Sequence, residues 1–108
     1  AIVIATPVYW FTLSAQAKLF IDRWYALLGE KPSPLRGKQY ALVLSYGDDD
    51  LDTSGGIHAL DAVKHMVRYL RGDFVGCVHG CASDPGDVQE QPELMKEAYE
   101  LGRTLGTL

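Results

Sequence analysis

Ala1-Ile2-Val3-Ile4-Ala5-Thr6-Pro7-Val8-Tyr9-Trp10-Phe11-Thr12 decides how the rest of the chain is read. Its first six residues are short, β-branched and almost continuously apolar, the pattern of a strand covered on both faces. Pro7 is expected to stop that strand. Three adjacent aromatics, Tyr9, Trp10 and Phe11, follow the strand end. They can flank a flat ring by stacking, or simply pack the start of the next helix as a hydrophobic staple.

Two further apolar runs alternate with helical patterns. Leu13, Ala17, Phe20, Trp24 and Leu27 fall at steps of four and three, which predicts a helix over residues 13–28. Thr12 or Ser14 is placed to cap its start and Gly29 its end. The prolines and glycine of Lys31 to Lys38 mark a loop. Gln39 to Ser45 reads as the second strand, and Ile57 to Leu70 as a helix with Leu60, Val63, Val67 and Leu70 on one face. Gly72 stands where a left-handed helix terminus is wanted. Phe74 to Val78 is the third strand. Asp84-Pro85-Gly86-Asp87 leads to a last helix from Pro92, striped by Leu94, Ala98, Leu101 and Leu105.

The order is βαβαβα, which predicts a parallel sheet with helices on its faces. With 108 residues, 47% hydrophobic and 22% charged, the chain has room for a single domain. It is short even for one complete doubly wound sheet. Residues 2–5 have the composition of a central strand, so the expectation is that an upstream segment, or a second copy of the chain, covers their open edge.

Ten basic and fourteen acidic side chains leave a net charge of -4, which argues against a broad nucleic-acid face. No apolar run is long enough for a membrane helix, and Ala1 to Ala5 lacks the basic start of a signal peptide. Cys77 and Cys81 would be about 13 Å apart in an extended segment, beyond disulfide reach. Reduced thiols and a cytoplasmic location are the expectation.

Ligands of open parallel sheets bind beyond the carboxyl ends of the strands. Three loops fall there: Pro7 to Thr12, Tyr46 to Gly56, and His79 to Asp87. In the second, Gly47 permits close backbone approach, and Ser54-Gly55-Gly56 opens a helix whose N-terminus could take an anion. Asp48, Asp50 and Asp52 alternate like the start of a calcium loop, but Thr53 and Ala59 occupy the positions of its glycine and closing glutamate. Cys77, His79 and Cys81 match no zinc spacing. His58 and His65 read as residues of a helix surface. Neither a dinucleotide fingerprint nor a P-loop is present, so the sequence offers no evident phosphate cradle.

Thr6-Pro7-Val8-Tyr9-Trp10, followed by Ser14, Lys18 and Phe20-Ile21-Asp22-Arg23, resembles the flavodoxin-fold NAD(P)H-dependent FMN reductase and quinone reductase family. Leu35-Arg36-Gly37-Lys38, Gly55-Gly56 and Pro85-Gly86-Asp87 resemble it too. The resemblance implies a three-layer flavodoxin-like α/β domain over residues 1–108, lacking the first two strands and the phosphate-binding loop that follows the first. It implies FMN as cofactor and NAD(P)H as co-substrate. Pro7, Val8, Tyr9, Trp10 and Phe11 match the segment lining the isoalloxazine ring, and Ser45, Tyr46 and Gly47 the loop on its other side. The flavin would carry hydride equivalents to a small-molecule acceptor, with no side-chain acid or base strictly required. A homodimer is expected, with weak or absent FMN binding by this chain alone and no nucleic-acid or membrane partner. The alternatives are a flavodoxin-like electron carrier, or a shortened, non-catalytic module that dimerises through its first strand.

Overall fold

A computed structural model describes residues 1–106; Thr107 and Leu108 lie outside the described residues. The elements are β1 (Ile2–Tyr9), β2 (Thr12–Leu13), α1 (Ala15–Asp22) with a 3-10 continuation (Arg23–Gly29), β3 (Gln39–Tyr46), α2 (Gly56–Tyr69), β4 (Asp73–Cys81), a 3-10 turn (Asp87–Glu90) and α3 (Pro92–Gly106). The sheet order is β2-β1-β3-β4. β1, β3 and β4 are parallel, in the adjacency expected, with Ile4 opposite Leu42 and Leu42 opposite Cys77.

One face of the sheet is fully packed. Ile4 of β1 and Tyr40, Leu42 and Leu44 of β3 meet Ile21, Trp24, Val63, Val67 and Leu70 in the core. The Tyr40 ring is wholly buried, and its hydroxyl donates to the Leu35 carbonyl at 2.6 Å, so no polar atom is stranded. The other face is covered over β4 by α3, where the predicted stripe Leu94, Ala98, Leu101 and Leu105 is half-buried. Gly76 and Gly80 make room there for Leu101 and Leu94. Over β1 that face is open, with Val3 48% exposed.

Several expectations need correction. Pro7 does not end β1, which runs on to Tyr9. β2 pairs with β1 only at Val8 and Tyr9, so the edge from Ile2 to Pro7 is unpaired among the described residues. Proline is tolerated on such an edge because no ladder partner asks for its missing N–H. The first helix starts at Ala15, not Leu13, because Leu13 belongs to the short β2 strand. The shift in phase buries Ile21 and leaves Phe20 62% exposed, edge-on to Trp24. Ser14 is the cap: its hydroxyl accepts from the Ala17 amide at 3.2 Å. The third strand extends past Val78 to Cys81. At the end of α2, Arg71 takes the left-handed conformation (φ 52°), not Gly72. Gly72 is needed for space: a Cβ there would stand 2.7 Å from the Lys38 carbonyl oxygen and 2.8 Å from the Tyr40 ring.

Candidate functional site

The carboxyl ends of β1, β3 and β4 open into one cleft of about 580 Å³. Its walls are Pro7, Val8 and Tyr9 from β1, Ser45, Tyr46 and Gly47 at the end of β3, and the 82–86 loop with Val88 after β4. Parallel register explains the convergence. Pro7 pairs with Ser45 and Ser45 with Gly80, so the three strands end level. The Ala82 amide donates to the Tyr46 carbonyl at 2.8 Å and carries the contact one residue past the ladder. At Gly47 the two walls approach closely, since a Cβ there would lie 3.5 Å from Ser83 Oγ.

Six of the eight residues expected around a ring therefore share this cleft. Trp10 and Phe11 do not line it. They form the two-residue turn of the β1–β2 hairpin, in which Tyr9 pairs with Thr12. Both have positive φ, 47° and 74°, as the primed hairpin turns demand. Trp10 is 90% exposed and meets the Phe11 ring edge-on at 5.4 Å. The lining residues Ala82, Ser83, Asp84, Pro85, Gly86 and Val88 were not singled out by sequence. Their only signal was a loop following a parallel strand.

Thr6 fixes the β1 wall from behind. Its buried hydroxyl lies 2.9 Å from the Pro7 carbonyl and 3.1 Å from Ser14 Oγ, and accepts from the Ser14 amide at 3.2 Å. Tyr46 is 6% exposed, and its hydroxyl is hydrogen-bonded to His79 Nδ1 at 2.8 Å. Burial, with smaller contributions from Asp50, Cys81 and Cys77, raises the Tyr46 pKa above the usual tyrosine range. The phenol stays neutral near pH 7. With Nδ1 so engaged, His79 joins no cluster with the neighbouring cysteines. Cys77 is half-buried, and burial pushes its thiol up to about 11; Cys81 is exposed. No group of three or more His, Cys, Asp or Glu side chains among the described residues could hold a metal ion.

The anion site expected at Ser54-Gly55-Gly56 is not available. The Gly56 amide donates to Ser54 Oγ at 3.1 Å, Ile57 to the Leu51 carbonyl at 3.1 Å and His58 to the Gly55 carbonyl at 2.9 Å. These are the donors an anion would need. The acidic loop is likewise closed on itself. Asp50 Oδ1 accepts from the Thr53 amide and hydroxyl at 2.7 and 2.8 Å, which lowers its pKa. At the cleft rim Asp87 accepts from the Ser83 and Asp84 amides at 3.1 and 2.9 Å, and its pKa is lowered for the same reason. The cleft thus offers apolar and backbone surface to a flat ring. Its rim carries a carboxylate where a phosphate would be repelled.

No helix among the described residues is long and apolar enough to cross a membrane. Among curated proteins, the chain is 31% identical over 104 residues to "Putative NAD(P)H-dependent FMN-containing oxidoreductase YwqN" of Bacillus subtilis (strain 168). The match covers 93% of this chain and 57% of that protein. Among solved structures, it is similar to the Trp repressor binding protein from Bacillus subtilis, with a TM-score of 0.77 and 28% identity, over 92% of this chain and 63% of the other. The chain thus spans somewhat over half the length of the relatives it matches. The parallel β1-β3-β4 order seen here, the shared fold of that neighbour and a family match over residues 1–102 lead to one assignment: the chain belongs to the flavodoxin-like fold family.

Proposed function

We propose that this chain supplies the ring-binding part of an FMN site in an NAD(P)H-dependent oxidoreductase of the flavin or quinone reductase type. The observation that carries the reading is the convergence of Pro7, Val8, Tyr9, Ser45, Tyr46 and Gly47 on one cleft at the strand ends. The relative's printed name supports the cofactor and the reductant. Bound FMN would supply the hydride and electron chemistry itself. The chain's own residues would orient it. Tyr9 and Val8 would present apolar surface to the ring, the backbone about Ser45 and Gly47 polar groups to its edge, and Tyr46, held by His79, a rigid floor. A small-molecule acceptor would approach the same cleft.

The phosphate is a different matter. The described residues hold no free helix N-terminus at the cleft, and Asp87 occupies the rim amides. We infer that a phosphate anchor, where one exists, comes from outside these residues. FMN and riboflavin should then bind this chain weakly and alike. Titration by flavin fluorescence checks this, with equal dissociation constants expected within about threefold. A roughly hundredfold preference for FMN, about 2.7 kcal/mol, would overturn the inference. Failure of both flavins to bind at millimolar concentration would remove the cofactor reading from this chain.

The unpaired Ile2–Pro7 edge favours a second reading, in which two copies associate through β1 as a homodimer. Sedimentation at several concentrations tests it, and a monomer throughout sinks it.

A further inference from the structure

The Trp10-Phe11 turn is unusual in a way the proposed function does not use. Two-residue turns with positive φ at both positions ordinarily carry asparagine or glycine. Here two large aromatics hold φ values of 47° and 74°, which is strained backbone for residues with bulky side chains. Something must hold the turn. Across from it lies Gly55, buried, with φ 83°, immediately before α2. A Cβ on Gly55 would lie 2.5 Å from Phe11 Cα, 2.5 Å from Phe11 Cβ and 2.6 Å from Phe11 Cδ1. No real side chain fits in that space. On the next residue, a Cβ at Gly56 would come within 2.8 Å of Leu51 Cδ1 and 3.3 Å of Val8 Cγ2. The hairpin is therefore seated on the start of α2 by the absence of two side chains. Val8 and Tyr9, one and two residues before the turn, are walls of the cleft.

We propose that Gly55 is a positioning residue: its missing side chain seats the Trp10-Phe11 turn on α2, and that seat sets where Val8 and Tyr9 stand in the cleft. The consequence for flavin rests on the function proposed above; the seating itself does not.

Gly55→Ala tests it, provided the cost of a left-handed alanine is separated from the clash. Gly37 supplies the control. It has φ 73°, yet nothing lies within 4 Å of its would-be Cβ. Gly37→Ala therefore carries the backbone penalty without the contact. Two tryptophans report the geometry, Trp10 on the turn and Trp24 in the core. In nitrogen-15 spectra of the full chain, Gly55→Ala is expected to move the Trp10 indole N–H peak and leave that of Trp24. Gly37→Ala should leave both. FMN affinity should fall about tenfold in Gly55→Ala and stay unchanged in Gly37→Ala. An unmoved Trp10 peak in Gly55→Ala overturns the seating. A moved peak with unchanged FMN affinity overturns the link to the cleft. If wild type binds no flavin, the function proposed above falls, while the Trp10 peak still decides the seat.

A double-mutant cycle covers the case in which Gly55→Ala does not fold. On a Phe11→Gly background, the same substitution should cost no more thermal stability than Gly37→Ala. Failure of that double variant to fold, with Gly37→Ala folded, shows that the clash is not with the turn and overturns the assignment.

Discussion

β1 and β3 run parallel, in register and side by side, with almost equally apolar sequences. Their surroundings differ. β3 is covered on both faces: Tyr40, Ala41 and Leu42 are all fully buried. β1 buries Ile4 and Thr6 on the helix side and leaves Val3 and Ala5 exposed on the other. Composition thus reports what a strand is built to be surrounded by, not what surrounds it in a given set of residues. The difference also locates the stability of the molecule. The face shared by β1 and β3 under α1 and α2 carries the core, and the cleft stands at its carboxyl end.

The sharpest break of this contrast is Leu42→Ala. Leu42 is fully buried at the centre of the packed face, and large-to-small changes at such sites cost about 2–5 kcal/mol. A urea midpoint lowered by that amount, at unchanged slope, is the expected result. A loss below about 1 kcal/mol would mean that the packed face is not the source of stability.

Much of this contrast is legible in sequence. Continuous apolar runs gave away three buried strands, and the stripes of α2 and α3 were visible because their periodicity survives any error at the ends. What failed did so for tertiary reasons. Leu13 belongs to a two-residue strand that only the turn at Trp10 and Phe11 creates. Reading it as helical shifted the phase and put Phe20 where Ile21 belongs. The turn itself could not be read, since neither residue favours positive φ and the space that admits it lies 44 residues away at Gly55. The cleft was legible from topology alone, because strand ends that converge need no particular side chain. The donors at the start of α2 were misjudged because their partners, Ser54 Oγ and the Leu51 carbonyl, depend on how the preceding loop folds back.

Ser14→Ala examines where the packed face reaches the β1 wall. It removes the cap of α1 and a neighbour of the buried Thr6 hydroxyl. A cap is worth about 1 kcal/mol, and a perturbed buried polar pair raises the total to about 2 kcal/mol. Ser14→Thr should recover most of it. Equal losses from both variants would assign the effect to crowding in place of hydrogen bonding.

Cys77, opposite Leu42, tests the same face by pH. Its pKa rises from 9.0 in the open chain to about 11 when folded. The unfolded chain therefore releases its proton first. The stability tied to the neutral thiol is whole below pH 9 and is lost as pH climbs to 11. Two pKa units correspond to about 2.7 kcal/mol, and partial exposure reduces this to about 1 kcal/mol. Tyr40 and Tyr46 have raised values too and add losses of the same sign above pH 10. The difference between wild type and Cys77→Ala isolates the thiol, since the alanine variant should lack the decline between pH 9 and 10. A variant that declines in parallel with wild type would place Cys77 in a wetter setting than the packed face provides.

The smallest effect is expected on the open face, and it is the most informative. Val3→Thr keeps the β-branched shape and exchanges a methyl for a hydroxyl. With Val3 48% exposed, water can solvate that hydroxyl, and the change should stay within about 0.5 kcal/mol. Under a covering layer the same hydroxyl would lose its water and cost roughly 1–3 kcal/mol. Measuring the urea midpoint at low and high protein concentration separates the cases. A small loss at both concentrations means that β1 keeps one bare face. A loss that grows with concentration means that a second copy lies over Val3, because only an associated state can bury what the single chain exposes.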